Sequence, residues 1–344
     1  MTAAAFLRAE ATALGFTDVG FAAATEADTF PEFSDWLDAG YAGAMNYLEA
    51  RREARRHPEA VFAGVHTVMM LALDYGPPVD GEQAGKIAAY AQRPDYHDLV
   101  WAKLNALRDR LTERFPEARA KGVCDTAPLL ERDFARRAGL GWFGKNAMLI
   151  HPRRGSYFFL AALLLNLELP TSEPFAANHC GTCTACLTAC PTQAFAAPGV
   201  LDATKCLSYH TIELRQPIPL EFRIPLGDHL FGCDDCQAAC PWNRFAVANA
   251  GFPASPELAA LDPLELLALT PTEYRRRFAG TPMLRTKYAG LLRNAAIVSG
   301  NTAGPEALPI LRRAAQHEDA VIAEAAGWAI EQIEARAVEQ SRPS

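Results

Sequence analysis

The hydrophobic positions of the first 165 residues change between helical and strand-like spacing. "AAFLRAEATALGF" places its apolar residues on one helical face and ends near a glycine, and "LVWAKLNALRDRLTERF" is an amphipathic stretch that ends before Pro116. In contrast, "VHTVMMLALDY" and "GSYFFLAALLLN" are continuous apolar runs of the length typical of buried strands. This alternation predicts an α/β domain with a central sheet over residues 1–165.

The pattern changes twice after this domain. Residues 166–250 show little periodicity and contain most of the cysteines, so we expect a ferredoxin-like domain stabilised by bound metal. After "NAGFPASPEL" the pattern is helical, and "YAGLLRNAAIVSGN", "GPEALPILRRAAQ" and "DAVIAEAAGWAIEQIEA" each carry one apolar stripe. Short successive helices predict HEAT-like stacking over residues 255–344, with a plain helical bundle as the alternative. The predicted fold class is therefore a multidomain α+β or α/β protein.

Seven cysteines lie in two closely spaced runs. "CGTCTACLTACP" (180–191) has the spacing C-x2-C-x2-C-x3-C-P, and "CDDCQAACP" (233–241) repeats C-x2-C-x3-C-P. The first spacing is typical of bacterial ferredoxins with two 4Fe–4S clusters, in which the fourth cysteine of a run ligates the other cluster. Two such clusters need about eight thiolates, and Cys206 between the runs supplies the eighth.

The ferredoxin rule divides the eight cysteines into two groups that cross between the runs. The first predicted group is Cys180, Cys183, Cys186 and Cys240; the second is Cys190, Cys206, Cys233 and Cys236. Cys124 is left over, as an inert buried thiol. Disulfides are a weaker alternative because no export signal is recognisable, which predicts a cytoplasmic protein. Structural zinc is the other alternative. It usually binds two separated cysteine pairs, so a run of four cysteines followed by proline favours iron–sulfur clusters over zinc.

The overall charge excludes a globally basic nucleic-acid-binding protein but permits a local basic surface. The chain has 344 residues and a net charge of −7. One segment, however, carries only basic charges: Arg275, Arg276, Arg277, Arg285, Lys287 and Arg293. "RREARRH" (51–57) adds four arginines. Such runs are commonly solvated faces, and the alternative is a surface that binds phosphates. The longest apolar run, "FFLAALLL", is too short to span a membrane.

"GLGWFGKN" (139–146) matches the spacing G-x-G-x-x-G of dinucleotide-binding folds. A dinucleotide site needs a strand before the glycines and a helix after them. Here a helical stretch, "APLLERDFARRA", comes before, and Pro152 follows shortly after. We therefore predict that the glycines end a helix and permit a close backbone approach, without a nicotinamide site.

Several segments together resemble one enzyme family. "YHDLVWAKL" (96–104), "DTAPLLERDFARRAGLGWFGKN" (125–146), "CLSYHTIELRQPIP" (206–219) and "CDDCQAACPWN" (233–243) are similar to segments of the epoxyqueuosine reductases. The resemblance covers nearly the whole chain. It implies a cobalamin-dependent enzyme with two 4Fe–4S clusters that reduces epoxyqueuosine to queuosine at the wobble position of transfer RNA. This reaction is the last step of queuosine biosynthesis.

The resemblance also implies roles for particular residues. Asp125, in "CDTAPLLER", matches the segment with the catalytic acid, and apolar neighbours are expected to bury it and raise its pKa. The alternative is that Asp125 or Thr126 caps the following helix. The candidate cobalamin contacts, between the first two domains, are Arg55, Tyr96, His97, Asp125 and Asn146, with Ser208 for the nucleotide tail. Tyr96 and His97 could instead cap a helix. The candidate tRNA contacts are Arg215, Arg275, Arg276, Arg277 and Lys287.

Two other functions fit parts of this pattern. A cobalamin-dependent reductive dehalogenase of small molecules would share the cofactors, although the basic helical tail argues against it. An iron–sulfur electron-transfer protein would need the clusters, but not a domain of 165 residues in front of them. We expect a monomer with an external electron donor, which the sequence does not identify, and no membrane partner.

Overall fold

A computed structural model describes residues 1–79 and 84–340. In these residues the strands are β1 (Asp18–Ala23), β2 (Thr67–Asp74), β3 (Lys86–Ile87), β4 (Ala120–Val123), β5 (Trp142–Phe143), β6 (Leu149–Ile150), β7 (Phe158–Leu165), β8 (Phe195–Ala197), β9 (Val200–Leu201) and β10 (His229–Phe231).

The α-helices of the same residues are α1 (Ala3–Ala13), α2 (Phe30–Asp38), α3 (Asn46–Glu49), α4 (Tyr96–Arg114), α5 (Glu131–Arg137), α6 (Ala185–Thr188), α7 (Leu207–Ile212), α8 (Leu220–Leu226), α9 (Asp235–Ala238), α10 (Pro256–Ala259), α11 (Pro263–Leu266), α12 (Pro271–Arg277), α13 (Lys287–Thr302), α14 (Leu308–Ala314) and α15 (Ala320–Gln340). Short 3₁₀ helices span Glu53–Arg55, Pro58–Ala60, Ala89–Gln92, Ala203–Lys205, Pro241–Phe245, Pro282–Thr286 and Pro305–Ala307.

A four-stranded sheet in the order β1-β2-β7-β4 organises the first part of the chain. Every neighbouring pair in it is antiparallel. Strand β2 is buried along its whole length because helices cover both faces. Its alternate residues enter two cores, so that Met69 packs with Leu104 of α4 on one face and Met70 packs with Phe134 of α5 on the other.

The predicted elements of this region are present. The two apolar runs form β2 and β7, and the two amphipathic stretches form α1 and α4. A mixed α/β fold with a central sheet is therefore confirmed. The sheet is antiparallel, however, and its strands β1 and β4 were not predicted from the hydrophobic pattern, since they are short and contain glycine or lysine.

The carboxyl-terminal helices share one hydrophobic core with the cysteine-rich segment. Leu207 and Phe231 pack in the same cluster as Phe278, Leu291 and Ile322. Helix α13 is also tied to this segment by polar contacts. The predicted boundary between residues 250 and 255 therefore does not separate two cores, because the tail buries its apolar face against the cysteine-rich segment. The HEAT-like arrangement stays a prediction.

The glycine run ends a helix, as the sequence analysis predicted. Gly139 ends α5 with φ of +83°, a conformation that glycine adopts without strain. A Cβ atom on Gly141 would lie 2.2 Å from the carbonyl oxygen of Ile150, so the close approach is to strand β6.

No helix within residues 1–79 and 84–340 combines the length and the apolar character needed to cross a membrane.

Candidate active site and cluster sites

The first predicted cysteine group surrounds a small cavity of about 50 Å³. The cysteines that line it are Cys180, Cys183, Cys186 and Cys240. Lys145 also lines this cavity, and its Nζ atom donates to the carbonyl oxygens of Gly181 at 2.7 Å and Cys183 at 2.9 Å. Cys183 is exposed, so this group lies close to the protein surface. We call it the outer group.

The surroundings of the outer group suit an iron–sulfur cluster. The buried indole N–H of Trp142 has no hydrogen-bond acceptor among the described residues, and the ring packs in one apolar cluster with Cys180 and Cys240. Trp242 packs edge-on against Trp142, with 5.1 Å between the ring centroids. Sulfide and thiolate sulfur accept hydrogen bonds, which tune the potential of a cluster. The donor and the thiols therefore fit the group that the spacing predicts.

The second predicted cysteine group lines a different and larger cavity. Its members are Cys190, Cys206, Cys233 and Cys236. We call it the inner group, because its thiols face the interior of this cavity. Asn146 lines both cavities and donates from Nδ2 to the carbonyl oxygen of Cys236 at 3.1 Å. The two groups are therefore adjacent, with one amide side chain between them.

The larger cavity, of about 400 Å³, lies between the central sheet and the inner group. This volume is within the range of ligand-binding cavities. The wall from the sheet is apolar, with Phe158, Phe159 and Leu160. The opposite parts of the wall carry polar groups, including Tyr96, Asp125, Asn146 and Ser208. Such a cavity can hold a large, mostly apolar ring system and fix it through a few polar contacts.

Asp125 reaches this cavity from an unusual turn. Its φ of +46° lies in the left-handed region, which a non-glycine residue rarely adopts. The backbone N–H of Thr126 donates to the carbonyl oxygen of Cys124 at 2.5 Å, which closes a three-residue turn centred on Asp125. The backbone N–H of Asp125 itself donates to Oε1 of Glu131 at 2.6 Å.

Two side chains at the start of α4 donate to the Asp125 carboxylate. The Tyr96 hydroxyl donates to Oδ2, and His97 Nε2 lies 2.9 Å from Oδ1. The other ring nitrogen of His97 lies 2.7 Å from Oδ1 of Asp95. These carboxylates, Asp125 first and then Asp95, raise the pKa of His97 to about 10. The imidazole is therefore protonated at neutral pH and donates to both carboxylates.

The structure contradicts the two capping alternatives for these residues. Helix α5 begins only at Glu131 and its N-cap is Leu130, so neither Asp125 nor Thr126 caps it. Asp95 caps α4 by accepting from the backbone N–H of His97, so Tyr96 and His97 are not the cap. In this structure 36% of the Asp125 side chain is exposed and two donors contact its carboxylate, and the expected burial beneath a corrin stays a prediction.

The remaining candidate cobalamin contacts differ in whether they line the larger cavity. Asn146 and Ser208 line the larger cavity, as the resemblance implies. Arg55 does not line it, because its buried guanidinium donates to the carbonyl oxygens of Leu48 and Arg51. Arg55 therefore supports the loop before β2, and its contact with cobalamin stays a prediction. Cys124 is fully buried, and its pKa is raised by desolvation, in agreement with an inert thiol.

The basic residues of the tail are only partly available to a ligand. Arg275, Arg276 and Lys287 are exposed, whereas Arg277 pairs with Glu265 at 3.5 Å. Arg215 donates to the carbonyl oxygens of Ile212, Thr286 and Arg285. Arg285 pairs with Glu213 at 2.9 Å.

Arg293 does not belong to this surface, contrary to the sequence analysis. It is completely buried and donates to the carbonyl oxygens of His210, Leu214 and Gln216, because α13 packs against the cysteine-rich segment. The "RREARRH" segment also lacks free charge at two positions. Arg52 pairs with Asp38 and Glu49, and Arg56 pairs with Glu26 and Glu53.

Two residues of the larger cavity were missed by the sequence analysis. Burial first, and then the nearby Asp125, raise the pKa of Glu131 to about 8, so its carboxyl is protonated at neutral pH. Arg132 also lines the cavity and donates to the carbonyl oxygen of Ala147. Both belong to "CDTAPLLER", but a loop separates them from Asp125, and spacing alone does not show that they return to it.

Comparison with known proteins gives two family matches. Residues 179–243 match the family described as "4Fe-4S double cluster binding domain". Residues 55–126 match the family described as "Epoxyqueuosine reductase QueG, DUF1730". The matched segments contain all eight cysteines of the two groups, together with Tyr96, His97 and Asp125.

Curated relatives agree with these matches over most of the chain. An epoxyqueuosine reductase of Pseudomonas aeruginosa is 38% identical over 307 residues, which are 87% of this chain and 84% of that protein. The epoxyqueuosine reductase of Xanthomonas campestris is 37% identical over 341 residues, with 96% of each chain covered. That of Escherichia coli K12 is 34% identical over 333 residues, with 94% of this chain and 88% of that protein covered.

Solved structures agree in fold. A crystal structure of an epoxyqueuosine reductase with an epoxyqueuosine-modified tRNA-Tyr stem loop has a TM-score of 0.90 and 29% identity, and covers 99% of this chain and 94% of that chain. A Bacillus subtilis epoxyqueuosine reductase has a TM-score of 0.89 and 30% identity, with 98% of this chain and 93% of that chain covered. In that relative the catalytic aspartate loop is swung out of the active site.

Proposed function

The chain belongs to the epoxyqueuosine reductase family, and we propose that it reduces epoxyqueuosine to queuosine in transfer RNA. The observation that carries the proposal is one cavity with two kinds of chemistry. The inner cysteine group lines one part of its wall, and Asp125, held by Tyr96 and His97, lies on another. The cavity therefore combines a route for electrons with a source of protons.

The reaction requires both electrons and protons. Removing the epoxide oxygen breaks two C–O bonds and forms a carbon–carbon double bond. The oxygen leaves as water, so the balanced step consumes two electrons and two protons. The electrons must come from outside the substrate, and the protons must reach the oxygen as its bonds to carbon break.

The outer and inner cysteine groups would hold two 4Fe–4S clusters, which would supply the electrons one at a time. Cobalamin, when bound in the larger cavity, supplies a low-potential cobalt centre for cleavage of the C–O bond. Tyr96, Asn146 and Ser208 are the residues that would hold it, since each places a polar side chain in a largely apolar wall. The same wall contains Cys206, two residues before Ser208, so these side chains would hold the ring system close to the inner cysteine group.

Asp125 relays protons from the protonated His97 to the epoxide oxygen, and His97, with 26% of its side chain exposed, takes up new protons from solvent. Its carboxylate is exposed to the cavity and receives hydrogen bonds from Tyr96 and the protonated His97. His97 restores the proton through the contact between Nε2 and Oδ1, and Asp95 holds the other side of the imidazole. This arrangement gives Asp125 its proton from a neighbour.

The partner is a tRNA that carries epoxyqueuosine in its anticodon loop. An unpaired loop base can be splayed out into a protein cavity, as single-stranded RNA permits. Arg275, Arg276 and Lys287 offer exposed positive charge to the phosphates, with Arg277 and Arg215 as weaker contributors because they already have partners. We place the reaction in the cytoplasm, where its substrate tRNA is available.

The substitution Asp125→Asn tests the proposal. Asparagine keeps the shape of the side chain but cannot deliver a proton, so turnover of epoxyqueuosine tRNA should fall by about 10²–10⁴-fold. Asp109→Asn, on the exposed face of α4, is the matched control and should turn over normally. Iron content and cobalamin binding, measured by absorption spectra, should be unchanged in both variants. Near-normal turnover in a fully loaded Asp125→Asn protein would remove Asp125 from the mechanism.

A further inference from the structure

The backbone conformation of Asp125 is strained and is held from outside the residue. The left-handed φ of +46° places it at the centre of a three-residue turn, a geometry that is rare for residues other than glycine. Strain of this kind persists only where surrounding contacts determine the conformation. The contacts around Asp125 should therefore include one that acts on its backbone.

That contact comes from the first residue of helix α5. The carboxyl of Glu131 reaches back across the loop of residues 125–130, and its Oε1 atom accepts the Asp125 backbone N–H at 2.6 Å. Tyr96 and His97 hold the carboxylate of Asp125, but neither bonds its backbone. Among the described residues, Glu131 is the one whose side chain bonds the backbone N–H of Asp125.

We propose that Glu131 is a positioning residue that latches the Asp125 loop in the conformation that directs the Asp125 carboxylate into the cavity. This inference rests on the proposed function of Asp125 as proton donor. The hydrogen bond joins the two ends of this loop. The loop begins after strand β4, which ends at Val123, and it ends where helix α5 begins at Glu131. Release of the Asp125 N–H would allow the strained turn to relax and the carboxylate to leave Tyr96 and His97.

The chemistry of Glu131 suits a latch. Glu131 borders the cavity beside Asp125 and Arg132, and burial raises its pKa to about 8. Its protonated carboxyl accepts the Asp125 N–H at neutral pH without adding a second negative charge next to the Asp125 carboxylate. Glutamine reproduces both properties, because its side-chain carbonyl accepts a hydrogen bond and carries no charge. Leucine has a similar size and accepts no hydrogen bond.

Hydrogen exchange on the cluster-loaded enzyme tests the latch without substrate. In Glu131→Leu, amide exchange in a peptide covering residues 123–130 should become about tenfold faster, because the loop opens more often. Glu131→Gln should exchange at the wild-type rate. Glu113→Leu, an exposed change on α4, is the control and should leave this peptide unchanged. Exchange in strand β7 should be equal in all variants, which shows that the fold is intact.

Steady-state kinetics with epoxyqueuosine tRNA give the second measurement. Glu131→Leu should lower kcat by about 10- to 100-fold with KM within about twofold of wild type, since a small misplacement of a catalytic group has such effects. Glu131→Gln should restore kcat. Wild-type exchange in Glu131→Leu, or wild-type kcat with an open loop, would overturn the proposal. Equal loss of kcat in the Leu and Gln variants would assign Glu131 a proton-transfer role instead and also overturn it.

The two measurements separate this inference from the proposed function. If wild-type enzyme with both clusters and cobalamin did not turn over epoxyqueuosine tRNA, the proposed function would fail. The exchange experiment would still decide whether Glu131 holds the loop.

Discussion

The two cysteine runs have nearly the same spacing in the sequence, but the outer and inner groups that they form have very different surroundings. The outer group encloses about 50 Å³, has Cys183 at the surface and is packed against Trp142 and Trp242. The inner group opens into about 400 Å³ and shares its wall with Asp125 and Ser208. The outer group therefore surrounds a small pocket near the surface, whereas the inner group forms one wall of the larger cavity.

Under the proposed function, this difference predicts a direction for electron flow. We expect a donor protein to approach the outer group through the exposed Cys183, and the inner group to serve the cavity in which we propose that the substrate reacts. Asn146 contacts both regions and joins them through its hydrogen bond to the Cys236 carbonyl oxygen. The comparison therefore predicts that changes at the two sites have separable effects.

The largest effect should come from removing one ligand of each group. Cys206→Ser and Cys183→Ser should each lower the iron content from about eight to about four atoms per chain, because one cluster is lost and the other stays. Turnover of epoxyqueuosine tRNA should be abolished in both. Their EPR spectra should differ, since each variant keeps a different cluster.

Cys124→Ser is the control for both ligand variants, because Cys124 is buried away from the two groups and bonds the Leu160 carbonyl oxygen. It should keep about eight iron atoms. Full iron content in Cys206→Ser together with loss in Cys124→Ser would show that the grouping is wrong.

A second effect is on tRNA binding. We expect the basic residues of the tail to contribute to it and the exposed residues near the outer group not to contribute. Replacing Arg275, Arg276 and Arg277 together by Gln should weaken tRNA binding by about tenfold and reduce the salt slope by about 2, since each phosphate contact contributes about 0.7–0.9. Arg244→Gln, an exposed change next to Trp242, is the control and should leave the slope unchanged. Binding isotherms at several salt concentrations measure both. Equal slopes in the triple variant and wild type would show that these arginines are only solvated.

A smaller effect should distinguish the reduction potentials of the two clusters. Lys145 donates to the Gly181 and Cys183 carbonyl oxygens, so its charge lies beside the outer cluster. Lys145→Met should lower the potential of the outer cluster by tens of millivolts, on the order expected for loss of a nearby charge and hydrogen bonds. The inner cluster should not change, and Lys145→Arg should restore the outer potential. A potentiometric EPR titration measures both clusters, and equal shifts in the two would contradict their separation.

The smallest effect is on the pH dependence of thermal stability, and it comes from Glu131 in the larger cavity. Burial raises the pKa of Glu131 from its ordinary value of 4.5 to about 8, so the protonated form is favoured in the folded protein. The stability that this gives is fully present below pH 4.5 and is lost as the pH rises through about 8. Between pH 6 and pH 9 the midpoint of thermal unfolding should therefore fall by about 2 °C more in wild type than in Glu131→Gln. Parallel calorimetric scans test this, and identical pH dependence would remove Glu131 as the cause.

The cluster-binding domain and the two central strands of the sheet could be predicted from local sequence. The cysteine spacing predicted a two-cluster domain, and the comparison with known families confirms it over residues 179–243. The apolar runs predicted β2 and β7 because a strand buried on both faces has no polar positions. These features depend on neighbours within a few residues, and so the sequence shows them directly.

The sequence by itself determined which chemical groups the protein has, whereas the tertiary structure decided which of them meet. Arg293 counted as a surface charge in the sequence, but long-range packing of α13 buries it against backbone carbonyl groups. Asp125 was expected in an apolar setting, but Tyr96 and His97, 29 and 28 residues earlier in the chain, surround it with donors. Glu131 and Asp125 meet across the loop of residues 125–130, where the Glu131 carboxyl accepts the Asp125 backbone N–H. Burial and hydrogen bonding depend on contacts between distant segments, and spacing along the chain carries no record of them.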